Sequence, residues 1–261
     1  MPSVERFREL HHAEEVLLMP NAWDTGSAKI IEHLGFHAVA TTSSGSAAAR
    51  GQLDGTLGRD VTLGHCAELA AAVDLPVSAD LENCFADEPE GVAETIRRAL
   101  GTGIAGASVE DWSGTAIYHR GLATERVLAA VEAAAGALVV TARAENHIRG
   151  VDDLDDTIAR LQAFAEVGAD VVFAPGIRTD EQIRAVVQGV DAPVSVLAQP
   201  GVPPVAELAE LGVRRVSVGG AFMFACYGSL IDAAHEVQST GTYGYLEGAA
   251  RGGKVARDAF A

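Results

Sequence analysis

The sequence predicts an α/β fold: a single (β/α)8 barrel spanning residues 1–261, with an extra C-terminal helix. Three observations predict it. Eight short runs rich in Val, Ala and Ile recur along the chain, each with the apolar character of a strand buried on both faces of a parallel sheet. Helical patterns lie between them. The length of 261 residues is close to the roughly 250 typical of such a barrel. An open doubly wound sheet fits less well, because no Gly-x-Gly-x-x-Gly follows the first run and no composition shift marks a second domain.

The first run, 16–20, is followed by a helical pattern over 24–34. The second, 38–43, leads through a hydroxyl-rich turn to a helix over 60–73. The third, 76–81, and the fourth, 106–111, precede helices over 89–100 and 123–135. The fifth, 138–145, comes before the clearest pattern. There Leu154, Ile158, Leu161 and Phe164 share one helix face behind Asp152, Asp153, Asp155 and Asp156, whose charge suits a helix N-terminus. The remaining runs, 170–175, 193–198 and 214–220, precede helices over 179–188, 204–211 and 221–238. The tail from Thr240 to Ala261 is rich in Gly and Ala around Tyr243, Tyr245 and Leu246. It reads as a loop and a last helix outside the eight repeats, able to pack on a neighbouring subunit.

The 36 acidic residues against 19 Lys and Arg leave a net charge of −17. That balance argues against a nucleic-acid binder and against a protein of anionic membrane surfaces. With 48% apolar residues the chain can bury a sizeable core. No apolar run approaches the roughly 18 residues needed to cross a bilayer, and Met1 to Leu10 lacks a basic-then-apolar signal pattern. A cytoplasmic location is the simplest expectation. Cys66, Cys84 and Cys226 have no paired spacing, which fits a reducing compartment and gives no zinc motif. The only lysines, Lys29 and Lys254, lie away from the strand ends. Schiff-base and pyridoxal phosphate chemistry are thereby excluded.

In such barrels the active site lies at the carboxyl ends of the strands. Here those ends are acidic: Asp80 and Glu82, then Glu110 and Asp111, then Glu145 after Arg143. Alternation points Asp80 and Glu82 to one side. Converging carboxylates without His or Cys companions suit a hard cation, Mg²⁺ or Mn²⁺. The alternative for any one of them is a helix cap. That is weaker for Glu110-Asp111, which a loop over 112–120 follows. Arg143 in an apolar strand end needs a negative partner, either Glu110 or Glu145 in a salt bridge or an anionic substrate. The turn Thr41 to Ser46 can present N–H groups to a carboxylate.

Cys84 stands among carboxylates with no adjacent base, which makes it a poor nucleophile. Cys66 and Cys226 lie in apolar helical patterns and read as core. His119 and His147 follow strands and can reach the site, whereas His11, His12, His33, His37, His65 and His235 read as surface or helix residues. Tyr118, His119 and Arg120 are the donor cluster of the 112–120 loop, which reads as a mobile lid with Gly114 and Gly121 near its ends.

These residues, in this order, resemble the isocitrate lyase and phosphoenolpyruvate mutase superfamily. The similarity runs through Pro20-Asn21-Ala22-Trp23-Asp24, Thr41 to Ser46, Gln52-Leu53-Asp54-Gly55, Arg59-Asp60, Ala79-Asp80-Leu81-Glu82, Val109-Glu110-Asp111, Ala142-Arg143 and Leu211 to Ser217. The resemblance implies that Asp80 is the principal Mg²⁺ ligand, with Glu82 and Glu110 holding its waters and Asp54 helping to hold metal and substrate. It implies that Thr42, Ser44, Gly45 and Ser46 bind the substrate carboxylate and that Arg143 binds its anionic end. It further implies a homodimer or homotetramer whose eighth helix is exchanged between subunits. Isocitrate and methylisocitrate lyases carry Lys-x-Cys-Gly-His in the loop after the fourth strand, and the mutase and phosphonopyruvate hydrolase a loop of the Asp-Lys … Lys-Thr-Asn kind. Residues 112–120, Trp-Ser-Gly-Thr-Ala-Ile-Tyr-His-Arg, match neither.

The expected activity is a Mg²⁺-dependent carbon–carbon lyase, acting by retro-aldol cleavage or decarboxylation on a small 2-oxo or 2-hydroxy dicarboxylate through a metal-stabilised enolate. Asp54, Arg143 and His119 are the expected catalytic residues, His119 as the acid. A phosphorus–carbon enzyme is the first alternative. A barrel that binds a keto acid without turnover is the second.

Overall fold

The computed structural model describes residues 4–261, so the first three residues of the Met1–Leu10 segment lie outside it. Nine parallel strands form one sheet: β1 (Leu17–Met19), β2 (Asn21–Ala22), β3 (Val39–Thr41), β4 (Val77–Asp80), β5 (Gly106–Glu110), β6 (Val139–Arg143), β7 (Val171–Phe173), β8 (Val194–Leu197) and β9 (Arg215–Ser217). The order runs β1-β9-β8-β7-β6-β5-β4-β3-β2. The first two strands are one predicted strand interrupted at Pro20, which has no N–H to give to a ladder. Before the proline the chain pairs with β9 and after it with β3. The sheet therefore closes on itself, and the expected eight-stranded barrel is what forms.

The helices are α1 (Val4–Leu10), α2 (Thr25–His33), α3 (Ser43–Ala49), α4 (Arg59–Ala72), α5 (Pro89–Ala99), α6 (Arg120–Ala134), α7 (Leu154–Glu166), α8 (Asp180–Gly189), α9 (Val205–Leu211), α10 (Ala221–Ser239) and α11 (Leu246–Phe260). Local chemistry starts several of them. Asp24 and Ser27 form a capping box on α2, Thr179 and Gln182 another on α8, and Asp153 accepts from Asp156 N–H at α7. Two apolar clusters fill the space between strands and helices around the barrel.

Two helices were not expected. Short α1 closes the amino end of the barrel with Phe7, packed among Leu17, Met19, Val139 and Val171. A Cβ at Gly106 would stand 2.7 Å from the Phe7 ring, so only glycine lets that strand pass the plug. His11, read from sequence as a surface or helix residue, is buried just beyond α1, its Nδ1 2.8 Å from Phe7 O. The other unexpected helix, α3, replaces the predicted turn at Ser43.

The helix expected over 221–238 is present as α10, but only Met223 of it is buried. Phe222, Phe224, Leu230 and Ile231 are exposed, as is Cys226, which the sequence had placed in the core. Among the described residues these side chains stay exposed, with Tyr245 and Phe260 at the edges of hollows beside Cys226. The tail forms α11, outside the eight repeats as expected, and packs on α2 with Phe260 near Gly26. Among the described residues no helix is long and apolar enough to cross a membrane.

Candidate active site

Strand register assembles the acidic ends. Asp80 of β4 lies beside Ser108, and Glu110 of β5 beside Arg143 of β6. Arg143 reaches Asp80 at 3.1 Å, Glu110 at 3.1 Å and Glu145 at 2.8 Å. Both sequence-predicted salt bridges therefore form, together with a third. Burial opposes the Arg143 charge, but Glu145, Glu110 and Asp80 outweigh it and hold the guanidinium firmly protonated. The acids feel the converse. Burial, then Asp80 and Asp54, push the Glu82 carboxyl up to about 7. Burial raises Glu110 as well. Asp111 is drawn away from the mouth: it accepts from Glu145 N–H at 2.8 Å and from Arg160 at 3.1 Å, tying the β5 and β6 ends together.

The hydroxyl-rich segment is the first turn of α3 rather than a loop. Thr42 caps it by accepting from Gly45 N–H at 3.3 Å, and Ser43 N–H donates to Asp80 Oδ2 at 3.0 Å. A Cβ at Gly45 would lie 2.6 Å from Thr42 Cγ2 and 3.1 Å from Trp23 Cβ, so the turn fits only with glycine there. Thr42 and Ser44 face the cavity, whereas Ser46 is buried and accepts from Arg50 at 2.6 Å. Asp54 stands on the exposed loop before α4 and overhangs the mouth.

Two adjoining cavities open there. An inner one of about 240 Å³ runs from Ser43, Ser44 and Asp54 past Asp80 into the barrel. An outer one of about 410 Å³ is walled by Asp54, Glu82, Glu110, Trp112, Arg143 and Arg149. The sequence reading had missed Arg149. It sits one turn beyond β6, 4.6 Å over the Trp112 ring and 3.0 Å from Glu145. A lone arginine in a loop carries no periodicity, and the only available signal was its place just after a strand end.

The loop over 112–120 is a folded hairpin rather than an open strap. Trp112 bridges Ile117, and Tyr118 N–H returns to Asp111 O at 2.8 Å. Its donor cluster is dispersed. Tyr118 turns inward to Asp87, Arg120 faces Asp156 at 3.7 Å, and His119 is exposed, with Nδ1 accepting from Gly121 N–H at the start of α6. His119 lines neither cavity, because the helix start claims it as a cap. His147 lies aside too, buried against Asp152. Cys84 points into the apolar layer behind β4, where burial pushes its thiol up to about 12.

Among the described residues no three Asp, Glu, His or Cys side chains close in on one point as an all-protein metal cage. The donor set still fits a hydrated hard cation. Glu82 Oε1 is buried without a hydrogen-bond partner, and Glu82 and Glu110 are both raised first by burial, a cost that a cation beside them would relieve. Mg²⁺ keeps several of its waters and takes one or two carboxylates directly, which matches acids spread around a mouth.

A family profile described as phosphoenolpyruvate phosphomutase matches residues 7–238. A crystal structure of a candidate lyase/mutase from Burkholderia cenocepacia J2315 has a TM-score of 0.94 and 47% identity, covering 97% of this chain and 94% of that one. An uncharacterized protein of Mycobacterium tuberculosis is 34% identical over 82% of this chain and 81% of its own length. The structure of 2,3-dimethylmalate lyase, described as a PEP mutase/isocitrate lyase superfamily member, matches with a TM-score of 0.83 and 25% identity, over 94% of this chain and 90% of that one.

Proposed function

The chain belongs to the phosphoenolpyruvate phosphomutase family, within the isocitrate lyase and PEP mutase superfamily, and from that premise we propose that it is a Mg²⁺-dependent carbon–carbon lyase of a small 2-oxo or 2-hydroxy dicarboxylate. The observation that carries the reading is the meeting of Asp80, Glu82, Glu110 and Arg143 at the mouth of the barrel, beneath a chamber that holds a second cation, Arg149. Related chains act on such acids, 2,3-dimethylmalate lyase among them.

Asp80 is the residue to hold the cation directly, with Glu82, Glu110 and Asp54 around its waters. When bound, Mg²⁺ supplies the positive charge that chelates a 2-oxo acid and lowers the cost of enolate charge. Ser44 and the Thr42–Gly45 turn face the carboxylate nearest α3. Arg143 is the guanidinium able to exchange a carboxylate partner for the substrate's anionic end, since Glu110 and Glu145 share it already. Trp112 and the folded hairpin roof the outer chamber and limit the water that reaches it. The proton that completes cleavage is assigned to neither His119 nor Tyr118, because both face away from the chamber. The exposed apolar face of α10 supports pairing with a second copy through exchanged helices, in a dimer or tetramer.

A turnover screen with Mg²⁺ across oxaloacetate, substituted malates, methylisocitrate and phosphonopyruvate tests the proposal. Cleavage of a dicarboxylate supports it. Turnover of phosphonopyruvate alone supports the phosphorus–carbon reading. Oxalate binding with no turnover of any substrate supports a binding barrel and overturns the lyase.

A further inference from the structure

The inner cavity continues below the carboxylate cluster to Arg215, which is buried at 3% exposure in the barrel lumen. Its Nε donates to Ser195 Oγ at 2.9 Å, and its Nη1 to Thr141 Oγ1 at 3.0 Å and to His11 Nε2 at 3.3 Å. All three partners are neutral, since burial first and Arg215 second push His11 down to about 3. Among the described residues no carboxylate pairs with Arg215, and its Nη2 makes no hydrogen bond. The Ser78 and Ser217 hydroxyls, also buried and lining this cavity, make none either. TIM-barrel lumens are ordinarily filled with Val, Ile and Leu. This one instead has an open space edged by unused donors and one uncompensated positive charge.

We propose that this lumen is an anion site, in which the free Nη2 edge of Arg215, with the Ser78 and Ser217 hydroxyls, holds one small monovalent anion, either a halide or a carboxylate group. Water can fill such a space and accept hydrogen bonds, but it leaves the charge unbalanced, and a buried charge is stable only when paired. The cation of the mouth has no such need, because Arg143 already meets three carboxylates. Burial, with Arg143 adding its own positive charge, pulls the Arg215 guanidinium down to about 9, and a bound anion reverses that pull. The inner cavity is continuous from Asp54 and Asp80 at the mouth to Arg215, which gives an anion a path past Asp80. The carboxylate source rests on the reading that this mouth takes small carboxylic acids. The halide source stands without it.

Thermal unfolding at constant ionic strength, with gluconate replaced stepwise by chloride or by acetate, tests the site. The expected result is a saturable rise in Tm for the wild type that is absent in Arg215→Met. A response to chloride identifies the halide source, and a response to acetate alone the carboxylate source. In case Arg215→Met fails to fold, Ser78→Ala combined with Ser217→Ala keeps the guanidinium and removes two donors, which should weaken the apparent anion affinity about threefold to tenfold. In crystals soaked in bromide, the anomalous signal should lie at hydrogen-bond distance from Arg215 Nη2. A wild type whose Tm responds to neither anion, an unchanged response in the variants, or bromide at Arg143 or Arg149 only would overturn the proposal. A protein that turns over none of the screened acids yet binds bromide at Arg215 loses the lyase reading and keeps the anion site.

Discussion

Replacing Arg126 with Met should loosen the loop that carries Glu82. Arg126 is a helix residue of α6 and is buried at 1% exposure, yet it bonds no carboxylate. Its guanidinium lies 4.2 Å over the Tyr118 ring and donates to Ala86 O at 2.5 Å, Asp87 O at 2.6 Å and Asn83 O at 2.8 Å. Those carbonyls belong to the segment after β4, in which Glu82, Cys84 and Phe85 have φ of 52°, 58° and 57°. Left-handed backbone costs a non-glycine residue roughly 1–2 kcal/mol, so the loop stores on the order of 3–6 kcal/mol. Three charge-assisted hydrogen bonds at about 1.5–3 kcal/mol each are enough to hold it. Met fills much of the volume but leaves the carbonyls unanswered, and the expected loss is about 3–5 kcal/mol of unfolding free energy. As the loop relaxes, Glu82 leaves the mouth, and affinity for Mn²⁺, used as a probe of the Mg²⁺ site, should fall about tenfold. Urea unfolding measures the first effect and calorimetry the second. Arg126→Lys, which keeps the charge but not the fork, should fall between. A Met variant that loses under 1 kcal/mol and binds Mn²⁺ as before would refute the reasoning.

Asp80→Ala should remove measurable Mg²⁺ binding while unfolding stability changes by no more than about 2 kcal/mol, because the lost Arg143 and Ser43 contacts are offset by relief of crowding among the acids; unchanged affinity by calorimetry would reject the assignment. Cys84→Ser should keep most activity in whatever turnover the substrate screen finds, since the thiol sits protonated in an apolar layer, and cost about 1–3 kcal/mol for a buried hydroxyl; complete loss of activity with metal binding intact would point to thiol chemistry. His119→Ala should leave turnover within about twofold, consistent with a capping residue whose loss costs about 1 kcal/mol, and a fall in turnover without loss of oxalate binding would restore it as the acid. His11 is held down to about 3 against 6.5 when unfolded, so its contribution is complete above 6.5 and is lost as pH falls toward 3. Between pH 7.5 and pH 5 the wild type should lose about 2 kcal/mol more than His11→Gln in urea unfolding, and equal losses would show that His11 titrates in the folded protein.

The barrel was legible in the sequence because its determinants are local. Each strand is a short apolar run, several helices, such as α2, α5, α7 and α8, have their own apolar stripe or cap, and the acids at or just after the ends of β4, β5 and β6 follow directly from where those runs stop. The resemblance of ordered motifs added roles for Asp80, Glu82, Glu110 and Arg143, and the strand register brings those residues to one mouth. What the sequence left open was decided by contacts between distant segments. Whether Arg143 meets one carboxylate or three depends on β4 and β5 lying beside β6 in register. His119 lost its place in the chamber to a helix cap formed by its own neighbours, and Arg149 gained one by stacking on Trp112, some 40 residues away. The split of the first strand at Pro20, the burial of His11 and the solitary charge of Arg215 appear only once the sheet closes. Closure joins residues that no local periodicity relates, and burial then makes each unpaired charge or orphaned hydroxyl consequential.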